Sequence, residues 1–279
     1  RLHLSDELAV KAYLATRMPA TFAAIRTSFA MLEDCLPGFS PRNLLDIGAG
    51  PGTVLWAASE VWSSLSEARM IEASAFAARM GRALARELPH IDSQWLEEDA
   101  SRRLEKASDA DLVALAYVLD ELSPEARDAL VLRLWTLARK VLVIVEPGTP
   151  AGWKRVMRAR EVLLDAGARI AAPCPHEEPC PLRSPDWCHF SRRVARARMH
   201  RLAKGGEVPW EDEKFIFLAA TRTKPELQYA RVIAPPHHAK GRIDLKLCRP
   251  DGNVDVRTVS KREAEAFRSA RRAEWGDTL

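Results

Sequence analysis

From Asn43 onward the chain alternates short, almost purely apolar runs with longer stretches in which apolar residues return every three or four positions. The runs are NLLDIGAG (43–50), ARMIEAS (68–74), SQWLEEDA (93–100), ADLVALAYVL (110–119) and KVLVIVEPG (140–148). Continuous apolar runs separated by amphipathic helices mean βαβ units and a parallel sheet covered on both faces. The intervening helices are expected to about Ser66, to about Leu88 and over SPEARDALVLRLWTLAR (123–139), and AGWKRVMRAREVLLDAG (151–167) with ARIAAP (168–173) continues the alternation. Ahead of it, Ser5 is the expected N-cap of a helix over DELAVKAYLATR (6–17), and Pro19 suits the first turn of PATFAAIRTSFAMLEDCL (19–36).

The alternation then stops. A cysteine-bearing, proline-rich loop (172–190) and a basic segment, SRRVARARMHRLAKGG (191–206), precede a further strand expected over KFIFLAATR (214–222). In the tail, GRIDLKLCRPDGNVDVRTVS (241–260) predicts a hairpin, because Asp-Gly tolerates positive φ between two runs of alternating apolar residues. A last helix is expected over KREAEAFRSARRAEW (261–275). The organisation expected is therefore a helical extension (1–41), an α/β domain (42–170 with 205–230), a cysteine-rich insertion (171–204) and a β-rich tail (231–279).

Composition sharpens this in two ways. Apolar residues make up 47% of 279, enough for a folded core, and no window approaches eighteen uninterrupted apolar residues, so no membrane partner and a soluble intracellular protein are expected. Residue 1 is Arg rather than Met, which leaves the native start open. The net charge of +4 is unevenly placed: residues 1–150 carry −5 and residues 151–279 carry +9. A basic half suits a polyanionic partner such as nucleic acid, with a solvated basic surface as the plainer alternative.

The run LLDIGAGPGT places Asp46, Gly48, Gly50 and Gly52 between the first strand and the following helix. Glycines there let backbone approach a ligand, and helix N–H groups can face it. The G-x-G-x-G spacing puts Thr53 where a dinucleotide loop has its third glycine. Glu72 closes the second run, where a carboxylate can hold two ribose hydroxyls, and Asp99 closes the third. A glycine turn serving only helix–strand packing and an NAD site remain the alternatives.

This combination resembles the loop of class I S-adenosylmethionine-dependent methyltransferases over about residues 43–222. The resemblance implies a Rossmann-like methyltransferase sheet. It also implies that Asp46, Gly48, Gly50 and Gly52 line the methionine and ribose portions of the cofactor, Glu72 the ribose, Asp99 and Ala100 the adenine, with Tyr117 on the reaction side. The acceptor side is thinner. The Asn/Asp-Pro-Pro-aromatic signature of amino-methylating members is replaced by AYVLDELSP, where Asp120 and Glu121 are polar candidates or, preferably, a capping pair for the next helix. Pro-Cys occurs at Cys174 and Cys180, beyond the fifth strand rather than at a nucleophile position. No catalytic residue is assigned.

Cys174, Cys180 and Cys188 are spaced C-x5-C-x7-C, Cys248 lies in the tail hairpin, and Cys35 reads as a small buried apolar residue. Disulfides are disfavoured without a sign of secretion. Zinc usually draws on C-x2-C knuckles, absent here, although His176 or His189 can substitute; wide spacings suit an iron–sulfur cubane. Spacing alone leaves both open, and also cysteines that bind nothing.

The ordered set YLATRMPATFAA, LLDIGAGPGTVLWAA, YVLDELSP, VEPGTPAGW, APCPHEEPCPL, DWCHFSRR, LKLC and RRAEWGD is similar to the small-ribosomal-subunit methyltransferase-like family, bacterial relatives of the mitochondrial methyltransferase-like ribosome assembly factors. That resemblance spans nearly the whole chain. It implies a 4Fe-4S cluster on Cys174, Cys180, Cys188 and Cys248, with zinc as the alternative, and association with small-subunit rRNA during assembly. Methyl transfer is then either active or vestigial. Arg192, Arg193, Arg196, Arg198, Arg201 and Lys204 follow the third cysteine, and Lys261, Arg262, Arg268, Arg271 and Arg272 lie in the terminal segment. Both groups are candidates for phosphate contacts, with a solvated helix face as the alternative. A monomer is expected, cytoplasmic if bacterial and in the mitochondrial matrix if eukaryotic.

Overall fold

A computed structural model describes residues 4–98, 104, 107–196, 208–226 and 229–279. Two helices come first, α1 (Glu7–Thr16) and α2 (Met18–Cys35). The α/β alternation follows: β1 (Asn43–Ile47), α3 (Thr53–Val61), β2 (Glu67–Ile71), α4 (Ala75–Leu84), β3 (Asp92–Leu96), β4 (Ala110–Ala116), α5 (Pro124–Leu137), β5 (Ala138–Pro147), α6 (Pro150–Asp165) and β6 (Arg169–Ala172). Then come β7 (Phe190–Ala195), β8 (Trp210–Thr221), β9 (Arg231–Val232), β10 (His237–Ala239), β11 (Arg242–Cys248), β12 (Val254–Ser260) and α7 (Ala264–Ala270).

The main sheet runs β3-β2-β1-β4-β5-β8-β6, with β7 also paired to β8. Strands β3, β2, β1, β4 and β5 are parallel, whereas β8 is antiparallel to β5, β6 and β7. The order reverses between β1 and β4, which opens a crevice beyond the carboxyl ends of those strands. This is the class I methyltransferase-like α/β fold, with a mixed sheet. The central strands are mostly apolar because both faces are covered: Leu112, Val113, Leu142 and Ile144 have no exposed surface. Helices α5 and α6 pack against each other, and α2 lies on α3 and β8.

Helix starts follow local chemistry. Ser74, Ser123 and Thr149 each accept a backbone N–H at the first turns of α4, α5 and α6, and proline sits at the start of the last two. Each such cap stabilises by about 1 kcal/mol. Two caps differ from expectation. Asp6 rather than Ser5 caps α1, its carboxylate accepting the Ala9 N–H at 2.8 Å, because it stands three residues before a free donor. Ser123 rather than Asp120 or Glu121 caps α5, since those two residues are taken into a 3-10 turn at Leu119–Glu121.

The first part of the basic segment is not a helix face. Residues 190–195 form β7 and pair with residues 210–215 of β8, so β8 starts four residues earlier than the sequence suggests. The cysteine loop is consequently anchored in the main sheet at both ends. In the tail, β11 and β12 pair from Arg242–Ser260 to Cys248–Val254, around the Asp-Gly turn expected there. Val232, Ile243, Leu245, Leu247 and Val259 make a small core of their own, whereas Cys248 packs into the main one. The final helix stops at Ala270, leaving Arg271 and Arg272 beyond it. Among the described residues no helix is long and apolar enough to cross a membrane.

Gly152, in the first turn of α6, fixes how closely that helix approaches the end of β5. A Cβ there would lie 2.0 Å from the Pro147 carbonyl oxygen. Gly152→Ala is expected to destabilise the fold by about 1–3 kcal/mol through overpacking, which outweighs the gain of about 1 kcal/mol in helix propensity. A urea midpoint equal to or above that of the wild type would contradict this account.

Candidate cofactor pocket and cysteine centre

A cavity of about 900 Å³ opens at the β1/β4 switch point. Gly48, Ala49 and Gly50 after β1, Glu72 after β2 and Tyr117 after β4 line it, together with Tyr13 and Arg17 from the N-terminal helices. The loop adopts the path only glycine permits easily: Gly48, Gly50 and Gly52 have φ of +68°, +54° and +91°. A side chain at Gly48 would also strike Val118, 2.6 Å away, and one at Gly52 would crowd Trp95. Glu72 holds the loop in place. Its two carboxylate oxygens accept the Gly50 N–H at 2.8 Å and the Ser74 N–H at 2.7 Å. Burial raises the Glu72 pKa while these N–H groups pull it back down.

Asp46 and Gly52 stand behind the loop rather than on the cavity wall. Asp46 is 1% exposed, and neither carboxylate oxygen has a hydrogen-bond partner among the described residues. Burial, and then the charge of Glu72, pushes its pKa well above the ordinary range. Asp99 and Ala100, expected at the adenine, lie outside the described residues.

Tyr117 sits on the cavity wall at a φ of +60° that a tyrosine rarely adopts. Its hydroxyl donates to Glu213 at 3.2 Å, and the Arg17 guanidinium lies 5.5 Å from its ring centre. Arg17 donates twice to Glu213, at 2.7 and 2.8 Å, so helix α1's end is clamped to β8 beside Tyr117. Tyr13 is 3.2 Å from the Thr53 hydroxyl. Asp120 and Glu121 also face the cavity, and Asp120 pairs with Arg155 at 3.3 Å. Sequence reasoning missed Tyr13, Arg17 and Glu213, because nothing in local pattern says that a helix thirty residues upstream folds over the glycine loop.

Cys174, Cys180, Cys188 and Cys248 influence one another electrostatically. Cys188 is pushed well above the usual thiol range by its burial and then by Cys174, Cys180 and Cys248. Cys248 is pushed up to about 12 by burial, followed by the charges of Cys174 and Cys180. Each thiol thus stands within electrostatic reach of the others. Among the described residues no group of three or more His, Cys, Asp or Glu side chains is arranged to hold a single ion. His176 is buried with an unpartnered Nδ1, and the His189 ring stacks against Trp187 with centroids 5.1 Å apart.

The basic candidates divide. Arg193 pairs with Asp212 at 2.8 Å and Arg196 with Glu211 at 3.2 Å, both across the β7–β8 ladder, while Arg192 is exposed. Arg198, Arg201 and Lys204 lie outside the described residues. Lys261, Arg262, Arg268, Arg271 and Arg272 are exposed around α7.

Comparison with known proteins bears on the whole chain. Residues 7–279 match the family described as "Mitochondrial small ribosomal subunit Rsm22". The human "Ribosome assembly protein METTL17, mitochondrial" is 30% identical over 285 residues, covering 96% of this chain and 61% of that protein. Two Schizosaccharomyces pombe Rsm22-cox11 tandem proteins, both mitochondrial, are 24% identical over 320 residues, covering 96% of this chain and 42% of each. The chain therefore spans less than two thirds of the length of these relatives. Among solved structures, a putative RNA methyltransferase from Pyrococcus horikoshii aligns at 13% identity and a TM-score of 0.47, over 70% of this chain and 80% of that one. The magnesium protoporphyrin IX methyltransferase of Synechocystis with bound SAM aligns at 14% and 0.48, over 80% and 100%.

The buried Asp46 makes a pH prediction. Its folded pKa lies above the unfolded one, so the folded state holds its proton longer and stability falls as pH rises from the ordinary carboxylate range through the folded value. Asp46→Asn is expected to be more stable than the wild type at pH 8, with the advantage shrinking at pH 5. Denaturant midpoints at the two pH values decide it, and equal differences at both would remove Asp46 as the cause.

Proposed function

We propose, from the premise that this chain belongs to the Rsm22 family, that it is a methyltransferase-like assembly factor of the small ribosomal subunit that binds S-adenosylmethionine and rRNA and carries a metal centre. The observation that carries the cofactor assignment is the cavity at the β1/β4 switch point, floored by a positive-φ glycine loop whose amide is held by the Glu72 carboxylate. That arrangement puts backbone N–H groups and one carboxylate against a ligand bearing an amino-acid end and ribose hydroxyls. Glu72 would accept from the ribose, and Gly48 and Gly50 would allow close backbone approach. Asp46 would steady the loop from behind, and Asp99 and Ala100 would meet the adenine. The ribosomal part of the proposal rests on the relatives, whose names give small-subunit and ribosome-assembly roles.

Cys174, Cys180, Cys188 and Cys248 would hold the metal centre, a 4Fe-4S cluster in the reading preferred here and zinc in the alternative. When bound, the centre supplies a covalent cross-link between the proline-rich loop and the tail sheet. The mutual electrostatic influence of the four thiols supports one shared site. The positive second half of the chain supports an rRNA partner, with Arg192, Arg271 and Arg272 as exposed candidates.

On methyl transfer, one observation favours a cofactor that is bound but not consumed. The reaction side of the cavity is walled by Tyr117 and the doubly hydrogen-bonded Arg17–Glu213 pair, beside which no amine-holding signature stands. The second reading, an active rRNA methyltransferase, needs an acceptor base to reach past that wall.

Titration calorimetry with S-adenosylmethionine is expected to show one site, weakened tenfold or more in Glu72→Gln, about 1.4 kcal/mol at least. Glu72→Gln matching the wild type would remove the ribose role. Tritium transfer from the labelled cofactor to immature small-subunit rRNA separates the two readings: incorporation that Gly50→Arg abolishes establishes the enzyme, and binding without incorporation establishes the assembly factor.

A further inference from the structure

Carboxylates hold two of the partly buried arginines of this molecule. Arg155 has Glu146 and Asp120, and Arg17 has Glu213. Arg160 and Arg231, the two fully buried arginines among the described residues, have no carboxylate partner there, and both stand at the cysteine centre. Arg160, on α6, is 3% exposed and donates to the carbonyls of His176 and Glu178, both at 2.9 Å, inside the loop between Cys174 and Cys180. Its Nε is buried with no partner among the described residues. Arg231, on β9, is 1% exposed and is the cross-strand partner of Cys248. It donates to the carbonyls of Pro173 and Gly276 at 3.1 and 2.6 Å, and to the Cys35 thiol and the Tyr229 hydroxyl at 2.9 and 3.2 Å.

Carbonyls, a thiol and a phenol satisfy donors without neutralising charge. A guanidinium buried without a counter-ion costs several kcal/mol, and here two such groups flank the same four cysteines. Four thiolates around an oxidised cubane or a zinc ion carry a net charge of about −2, which two guanidinium groups balance. We infer that Arg160 and Arg231 are the built-in counter-charges of the four-cysteine centre, holding an anionic metal–thiolate group in a dry site and setting how firmly it is retained. This inference rests on the metal-centre reading proposed above. Arg231 adds a second consequence: through Cys35 and Gly276 it links the centre to the end of α2 and to the C-terminal segment, so occupancy reports on the joining of three parts of the fold.

The test compares wild type, Arg160→Gln and Arg160→Lys, purified without oxygen, in the loaded and chelator-stripped states, with iron, acid-labile sulfide and zinc quantified. Glutamine keeps an amide donor for the loop carbonyls but removes the charge, and lysine keeps the charge. In Arg160→Gln the metal is expected to leave to a chelator about tenfold faster, and the rise in thermal midpoint on loading to fall by half or more. For an iron–sulfur centre, the one-electron reduction equilibrium is expected to move tenfold toward the oxidised form, about 59 mV. Arg160→Lys is expected to stay within twofold of wild type in chelator half-life and reduction equilibrium.

A purely architectural arginine would lower the midpoints of both states equally. That result, with unchanged chelator half-life and potential, overturns the counter-charge role while leaving the metal centre standing. Zinc in place of iron removes the cluster alone, and the chelator and midpoint comparisons then decide the arginine's role. A wild type that takes up neither metal overturns the centre and its counter-charges together. Arg231→Gln supplies the same comparison if Arg160→Gln is not recovered folded.

Discussion

The fully buried guanidinium of Arg231 is the interaction on which the assembly of this chain's parts depends. A charge in a dry interior must satisfy its donors, and each donor of Arg231 goes to a different element: Pro173 after β6, Gly276 near the C-terminus, Cys35 at the end of α2 and Tyr229 ahead of β9. Losing any one of those elements would leave a buried donor unpaired, at about 1–3 kcal/mol each. The tail sheet keeps a small apolar core of its own. Its docking is specified by directional contacts, with Cys248 reaching into the main core beside them.

The cofactor pocket shows the same logic with the opposite sign. Asp46 is a carboxylate kept from water with no hydrogen-bond donor among the described residues, near a second carboxylate whose two oxygens are both engaged by backbone amides. Burial that disfavours the charged form is a cost in stability, and such costs concentrate where a fold is shaped for a ligand rather than for itself. The positive φ at Tyr117, on the wall of the same cavity, belongs to the same category. The molecule therefore carries complementary irregularities, one carboxylate without a hydrogen-bond partner among the described residues behind the pocket and two cations without carboxylates at the cysteine loop.

The helical extension acquires a function from where it lands. Helices α1 and α2 contribute Tyr13, Arg17, Thr21 and Ile25 to the cavity wall, and the Arg17–Glu213 pair fastens that wall to β8. A strand added antiparallel between β5 and β6 is what brings Glu213 there. The basic residues at β7 face a similar constraint: Arg193 on the strand and Arg196 just past it are drawn into ion pairs with the acidic start of β8, so charge counted along the chain overstates the charge offered to a partner.

Much of this architecture is legible in the sequence. The β1–β5 runs, their helices, the glycine loop with Glu72, the Asp-Gly hairpin and the spacing of Cys174, Cys180 and Cys188 are all short-range patterns. Period, turn chemistry and spacing are set by residues adjacent in the chain, so these features survive being examined one segment at a time. What only the tertiary structure decided are the contacts between distant segments: Arg17 on Glu213, Arg231 beside Cys248, Arg160 inside the cysteine loop, and β7 as a strand rather than a helix face. Each depends on which buried group meets which. Electrostatic and hydrogen-bond partners are chosen by geometry in a low-dielectric interior, and no local pattern of apolar and polar positions encodes that choice.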